Sequence, residues 1–334
     1  MSTLATKYRP KEFSDVCGQK SIIKIFEQQL KTRTFKNFIL MCGPSGCGKT
    51  TLARILANKI NNTVDTFIEM DAASNNSVED MRRLIELSSE RSLDSEYKII
   101  ILDEVHMLST QAFNTLLKFA EETPKYTIVI LCTTDPQKIP QTIINRCQIF
   151  NLSRIDDRQL QDRLRLICIA EGYHYSDIAL DYIIKLSNGS ARQSITYLDK
   201  CKDYSTDISI DNVKEVLGDC SYDTFFDLVD SIVDDNKPKI LKIIDSTYNN
   251  GTDLKLFISN FLSFVLQLTK FYILKGDMSS VNIPESYIDR IKYSVGIENG
   301  DKYLCELVDK LLKIKQAIKA DSDIKTTVEI MLLN

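Results

Sequence analysis

Between an apolar run and a stretch of helical spacing the chain reads Gly43-Pro44-Ser45-Gly46-Cys47-Gly48-Lys49-Thr50, followed by Thr51. This matches the phosphate-binding pattern G-x-x-x-x-G-K-[ST], whose chemistry depends on its strand-to-helix setting. The glycines let the backbone turn so that successive N–H groups aim at phosphate oxygens. Lys49 neutralises the outer phosphates, and Thr50 presents a hydroxyl to Mg²⁺ at the helix N-terminus. A coincidental glycine-rich turn would not need the flanking strand and helix. A second constellation is Ile99-Ile100-Ile101-Leu102-Asp103-Glu104, an apolar strand ending in two carboxylates. In a parallel sheet both would reach the edge where the phosphate loop opens. There Asp103 can hold Mg²⁺ while Glu104 polarises the water that attacks the γ-phosphate. Alone, the pair reads as a solvated acidic turn; beside a phosphate loop it reads as the other half of a nucleoside-triphosphatase. His106 is a single imidazole and is read as structural rather than as a metal ligand.

Such residues need a scaffold. Apolar runs at Phe38–Cys42, Thr66–Met70, Lys98–Leu102, Thr127–Cys132 and Cys147–Asn151 suit parallel strands buried on both faces. Helical spacing fills the gaps over Lys49–Asn61, over Val78–Ser88 behind the possible cap Ser77, and from Ser109 to Pro124. Alternating strands and helices predict an α/β domain over residues 1–152 with its ligand at the carboxyl ends of the strands. After Asn151 only helical spacing remains: Asp157–Glu171, Ser176–Leu186, Ala191–Lys202 and Ile210–Leu217. This predicts a small helical domain over 153–218. An all-helical block over 219–334 follows, punctuated at Pro238, Gly251, Gly276, Pro284 and Gly300.

Composition bounds the alternatives. The 334 residues are 43% hydrophobic and 26% charged, which excludes disordered and fibrous classes. The start carries no secretory apolar core, and the longest apolar stretch, Leu256 to Leu274, is interrupted by Asn260, Gln267 and Lys270. The expectation is a cytoplasmic protein without a membrane span. Nine cysteines without a Cys-x-x-Cys pair, and two histidines, predict reduced thiols and no zinc. Net charge is −4, concentrated in the second half. Nucleic-acid binding stays open, because affinity follows the phosphates neutralised locally.

Further wording narrows the family. Lys7-Tyr8-Arg9-Pro10, Val16-Cys17-Gly18-Gln19, Asp103-Glu104-Val105-His106-Met107-Leu108-Ser109, Glu121-Glu122-Thr123-Pro124 and Thr133-Thr134-Asp135-Pro136-Gln137-Lys138 resemble the gamma/tau subunits of the bacterial DNA polymerase III clamp loader. Those are AAA+ ATPases related to replication factor C. The resemblance is dense over the first 200 residues or so and weaker beyond, where Ile324–Leu333 looks like the last helix of the family's collar. It implies a RecA-like AAA+ domain, a helical lid and an all-α collar for oligomerisation. It implies ATP and Mg²⁺ as ligands, with Tyr8, Arg9, Pro10, Val16 and Gly18 against the adenine. Thr133, or Thr134 if the alignment slips by one, would be the first sensor of the γ-phosphate. Arg146, in Asn145-Arg146-Cys147, would be an arginine finger acting on a neighbour's ATP, and Arg192 the second sensor. Arg82, Lys118 and Lys138 match basic positions that face DNA in the central chamber. The partners implied are a sliding clamp, primer-template DNA and other subunits of a pentameric assembly, homomeric or heteromeric.

Three departures qualify the resemblance. Asn58–Thr66 stands where relatives carry a four-cysteine zinc module. Asn75, Asn76 and Ser77 replace basic residues after Asp71-Ala72-Ala73-Ser74, which predicts weaker DNA contact per subunit. The chain stops at Asn334, without the long tau extension. A compact form follows, from a divergent bacterium or a phage; in the latter case its place is the host cytoplasm. The function expected is an ATP-hydrolysing motor of a clamp loader. Two other readings stand beside it. One is a branch-migration or helicase-loading motor, which the Asp135-Pro136-Gln137-Lys138 match speaks against. The other is a nucleotide-binding scaffold without hydrolysis, which complete Lys49, Thr50, Asp103 and Glu104 speak against.

Overall fold

The computed structural model describes residues 3–89, 95–217, 222–276, 281, 283, 287, 289–291, 300–320 and 323–333. The chain forms two compact units, residues 1–209 and 210–334. Gly218, where the sequence suggested a boundary, lies outside the described residues, as do Cys220 and Pro284.

The first unit is built on five parallel strands: β1 (Phe38–Cys42), β2 (Phe67–Asp71), β3 (Lys98–Asp103), β4 (Thr127–Thr133) and β5 (Gln148–Asn151). Their spatial order is β2-β3-β4-β1-β5. Period-two alternation sends neighbouring side chains to opposite faces. Ile39, Met41, Ile99, Ile101, Ile128 and Ile130 pack in one layer with Phe26, Leu52 and Leu56. Leu40, Ile100, Leu102, Val129 and Leu131 pack in the other with Met81, Phe113 and Leu116. The first layer is covered by α2 (Lys20–Thr32) and α3 (Lys49–Asn61), the second by α4 (Val78–Ser89) and α5 (Thr110–Glu121). A short α1 (Leu4–Lys7) precedes them, and α6 (Gln141–Ile144) lies before β5. Continuous apolar sequence in β1, β3 and β4 follows from this double cover. The two edge strands correct the expectation of burial on both faces: Glu69, Asp71, Ile149 and Asn151 are exposed, because an edge strand has a neighbour on one side only.

Local chemistry sets the helix starts. Ser77 and Asp80 form a reciprocal cap, with Ser77 Oγ accepting from Asp80 N at 3.2 Å and Asp80 Oδ2 accepting from Ser77 N at 3.1 Å. Ser109 caps α5 through Ala112 N at 3.2 Å. Three further helices follow: α7 (Asp157–Glu171), α8 (Asp177–Ser187) and α9 (Ala191–Tyr204). They bury Leu160, Leu164, Ile183, Ile184 and Leu198. Helical spacing alone was expected here, yet β6 (His174–Tyr175) and β7 (Asp207–Ile208) pair in parallel. Two-residue strands are too short to carry an alternation that could be read.

The second unit holds α10 (Ile210–Leu217), α11 (Tyr222–Val233), α12 (Lys237–Asn249), α13 (Leu254–Ile273), α14 (Gly300–Ala320) and α15 (Ile324–Leu333). Its core joins Phe225, Phe226, Phe257, Phe261 and Phe264 with Leu307, Leu311 and Ile314. Among the described residues α13 alone is long and apolar enough to cross a bilayer, and half of it is buried within the protein. Phe257, Phe261, Val265 and Leu268 are fully buried, so its apolar face is the core of this unit.

Candidate active site: a nucleotide cleft at the carboxyl edge of the sheet

The phosphate loop leaves β1 and enters α3, while Asp103 and Thr133 end β3 and β4. Cys42 stands in register with Thr133, and β4 lies between β1 and β3, so all three strand ends open on one edge. Gly46 (φ 75°) and Gly48 (φ 102°) hold left-handed backbone that a β-carbon would strain. At Gly48 a β-carbon would meet no atom within 4 Å, which leaves open space above the loop.

Lys49 is 6% exposed. Its Nζ donates to Gly43 O at 2.9 Å and Pro44 O at 3.0 Å, and among the described residues it has no ion pair. A buried ammonium without a counter-ion, at the first residue of α3, is arranged to receive an anion. Thr50 Oγ1 donates to Asp103 Oδ2 at 2.6 Å. Hydroxyl and carboxylate thus meet as two hard oxygen donors, the donor set that suits Mg²⁺. Glu104 has left-handed backbone (φ 47°, ψ 42°), an uncommon conformation for a non-glycine residue. Its Oε2 accepts from Thr134 Oγ1 at 3.2 Å and lies 3.4 Å from His106 Nδ1. Thr133 is fully buried, with its hydroxyl 3.2 Å from His106 Nδ1. Of the two threonines left open by the sequence, Thr134 is the one that touches Glu104.

A cleft of about 350 Å³ collects Tyr8, Arg9, Pro10, Val16, Ser45, Gly46, Cys47, Gly48, Lys49, Thr50, Thr51, Asp103, Glu104 and Arg192. The remote N-terminal segment is therefore brought to the phosphate loop. Gly18, Gly43, Pro44 and Thr133 do not line the cleft; Gly18 (φ 73°) packs toward Ile155 and Gln159. Tyr8 OH donates to Glu171, and burial together with that bond pushes the phenol up to about 12. Arg163 Nη2 donates to Tyr8 O at 2.6 Å. Arg163 and Glu171 lie on α7, and their role in holding the N-terminal segment had no local signal: each reads as an ordinary helix-surface charge. Arg9 lines the cleft with its side chain partly exposed, and burial of part of it, with the neighbouring Arg54 and Arg192, lowers its pKa. Arg192 lines the cleft from the first turn of α9, and Ala191 N donates to Gly46 O at 3.1 Å.

The remaining candidates lie away from this cleft. Arg146 is exposed, donating to Glu121 Oε1 at 2.8 Å and Thr142 O at 2.9 Å. Arg82 and Lys118 are exposed on α4 and α5, and Lys138 pairs with Asp135 at 3.4 Å. In the Asn58–Thr66 link, Thr63 N donates to Asn58 O and Asp65 N to Asn58 Oδ1, a tight turn between α3 and β2.

The family profile described as DNA polymerase III, delta subunit, matches residues 61–156, and that described as DNA polymerase III subunits gamma and tau domain III matches residues 208–334. DNA polymerase III subunit gamma of Buchnera aphidicola subsp. Acyrthosiphon pisum is 30% identical over 288 residues, covering 80% of either chain. The chain belongs to the DNA polymerase III gamma/tau family. DNA polymerase III subunit tau of Bacillus subtilis is 31% identical over 337 residues, covering 93% of this chain and 59% of tau. The chain spans about half or less of the length of several tau-type relatives. Among solved structures, a mutant form of Thermotoga maritima RuvB superposes with a TM-score of 0.56 at 19% identity, covering 93% of this chain and 91% of the other. That likeness is one of fold, the AAA+ domain with helical additions.

Proposed function

We propose that this gamma/tau-family chain is the ATP-hydrolysing motor subunit of a sliding-clamp loader, which opens the clamp and sets it on primer-template DNA. The observation that carries the ATPase reading is buried Lys49 without a counter-ion, next to the Thr50–Asp103 pair. Lys49 exchanges its two loop carbonyls for phosphate oxygens, and the N–H groups of the loop hold the same anion. Thr50 and Asp103 hold Mg²⁺, which when bound neutralises charge on the transferring phosphoryl group. Glu104 orients the attacking water. Thr134, rather than Thr133, is the sensor reaching this carboxylate, and Arg192 couples the helical part to the nucleotide. Tyr8, Arg9, Pro10 and Val16 hold the base side.

The clamp and the DNA come from the family. Arg146, outside its own cleft and held by an exposed pair with Glu121 and a bond to Thr142 O, acts as the finger on a neighbouring subunit, which requires an oligomer in the pentameric pattern. Arg82, Lys118 and Lys138 meet DNA phosphates. The functional division is into an ATPase part (1–152), a lid (153–218) and a collar (219–334), working in the cytoplasm, or in a host's cytoplasm if phage-encoded. The test is ATP turnover and clamp transfer by the full chain with its partner subunits. Turnover is expected to rise when a clamp and primed DNA are both present. Turnover indifferent to both would refute the loader reading while leaving an ATPase.

A further inference from the structure

Two side chains close on the Glu104 carboxylate. Thr134 Oγ1 donates to its Oε2 at 3.2 Å from the end of β4, and His106 Nδ1 approaches the same oxygen at 3.4 Å from the turn after β3. His106 Nδ1 also lies 3.2 Å from Thr133 Oγ1, which accepts from Asp135 N at 3.0 Å. The imidazole is 12% exposed and Thr133 is fully buried, so the ring has little freedom to choose other partners. A neutral imidazole carries its hydrogen on one nitrogen, and the surroundings decide which. A lone pair on Nδ1 would face a carboxylate oxygen with no hydrogen between them. A hydrogen there has two oxygens within reach, Thr133 Oγ1 at 3.2 Å in hydrogen-bond geometry and Glu104 Oε2 at 3.4 Å as a longer contact.

We propose that His106 is a positioning residue for Glu104: its Nδ1–H, with the Thr134 hydroxyl, holds Oε2 so that Oε1 is presented to the attacking water. The proposal rests on the reading of Glu104 as the group that orients this water. Contacts of this length are common before substrate binds and tighten in the working complex. The left-handed backbone of Glu104 sets where its side chain begins; the two donors set where its carboxylate ends. Thr133 then acts through the ring, fixing its orientation from the buried last residue of β4, and touches neither water nor phosphate.

The test compares His106→Ala, His106→Gln and His106→Asn in the full chain assembled with its partners. The amide nitrogen of asparagine falls near the Nδ1 position, whereas that of glutamine falls near Nε2. Alanine and glutamine are expected to lower kcat about 10- to 100-fold, the scale of a misplaced catalytic group, with KM and nucleotide affinity unchanged. Asparagine is expected to restore most of the rate. Because the chain has two histidines, the ring nitrogens of His106 can be assigned in ¹⁵N-histidine-labelled wild-type protein by their loss in His106→Asn. The Nδ1–H tautomer is expected in the neutral ring. An Nε2–H tautomer, an unchanged or raised kcat in His106→Ala, or rescue by glutamine rather than asparagine would overturn the proposal. Unchanged turnover in Glu104→Gln would instead remove the reading beneath it, an outcome the tautomer measurement distinguishes from failure of the His106 contact.

Discussion

Replacing Gly46 with alanine probes the contact between the phosphate loop and the first turn of α9. At φ 75° a β-carbon costs about 1–2 kcal/mol through its clash with the following carbonyl. The new methyl would also lie 2.0 Å from Ser190 Oγ, 3.1 Å from Ser190 Cβ and 3.3 Å from Arg192 Cβ. Ser190 is not free to yield, since its Oγ accepts from Gln193 N at 3.2 Å and caps the helix. Either that cap is lost, at about 1 kcal/mol, or the loop retreats and the Ala191 N–H to Gly46 O bond breaks, at about 0.5–1.5 kcal/mol. The expected total is about 2–3 kcal/mol, read by urea unfolding, together with weaker nucleotide binding as the loop amides shift. Ser190→Gly removes both Ser190 overlaps, and glycine costs only a few tenths of a kcal/mol at an N-cap. The double variant should therefore recover about 1 kcal/mol relative to the sum of the single changes. Gly48→Ala is the control. Its methyl meets nothing within 4 Å, so it should show backbone strain and lost nucleotide affinity but no coupling to Ser190. Additivity of Gly46→Ala and Ser190→Gly within about 0.5 kcal/mol would refute the proposed packing of loop against α9.

Lys49→Ala should abolish turnover by removing the buried cation, and Glu104→Gln should abolish it while sparing nucleotide binding, checked by calorimetric titration beside steady-state rates. Arg146→Ala removes an exposed pair with Glu121 and should cost under about 1 kcal/mol of stability; its hydrolysis should fall, and mixing with wild-type chains should reveal whether the arginine serves a neighbour. Phe261→Ala, at a fully buried ring 5.6 Å from Phe225, should destabilise the second unit by about 3–5 kcal/mol, seen as a lowered unfolding midpoint. Burial pushes the thiols of Cys168 up to about 11 and of Cys147 and Cys201 up to about 12. A raised thiol pKa keeps the unreactive neutral form, so native alkylation near pH 8 should leave these three untouched, while Cys305, the one described cysteine that is exposed, reacts; denaturant should release them.

What the sequence determined by itself was local. The phosphate loop, the strand Phe38–Cys42 and the helices Lys49–Asn61 and Asp157–Glu171 are found at the bounds read from pattern, because a loop needing particular backbone angles and a helix with one apolar face leave short-range marks. No helix was expected over Lys20–Thr32, where one covers the sheet with Ile22 and Phe26. Tertiary structure alone decided what meets across long separations: Thr134 and His106 on Glu104, Arg163 and Glu171 on Tyr8, Ser190 against Gly46. It also decided that β2 and β5 are edges, with polar side chains in solvent, and that the apolar α13 fills a core. Periodicity records that a side chain will be buried or turned to one face. Which partner it meets there depends on how the strands are ordered and the helices laid on them, and that is set by packing the whole unit at once.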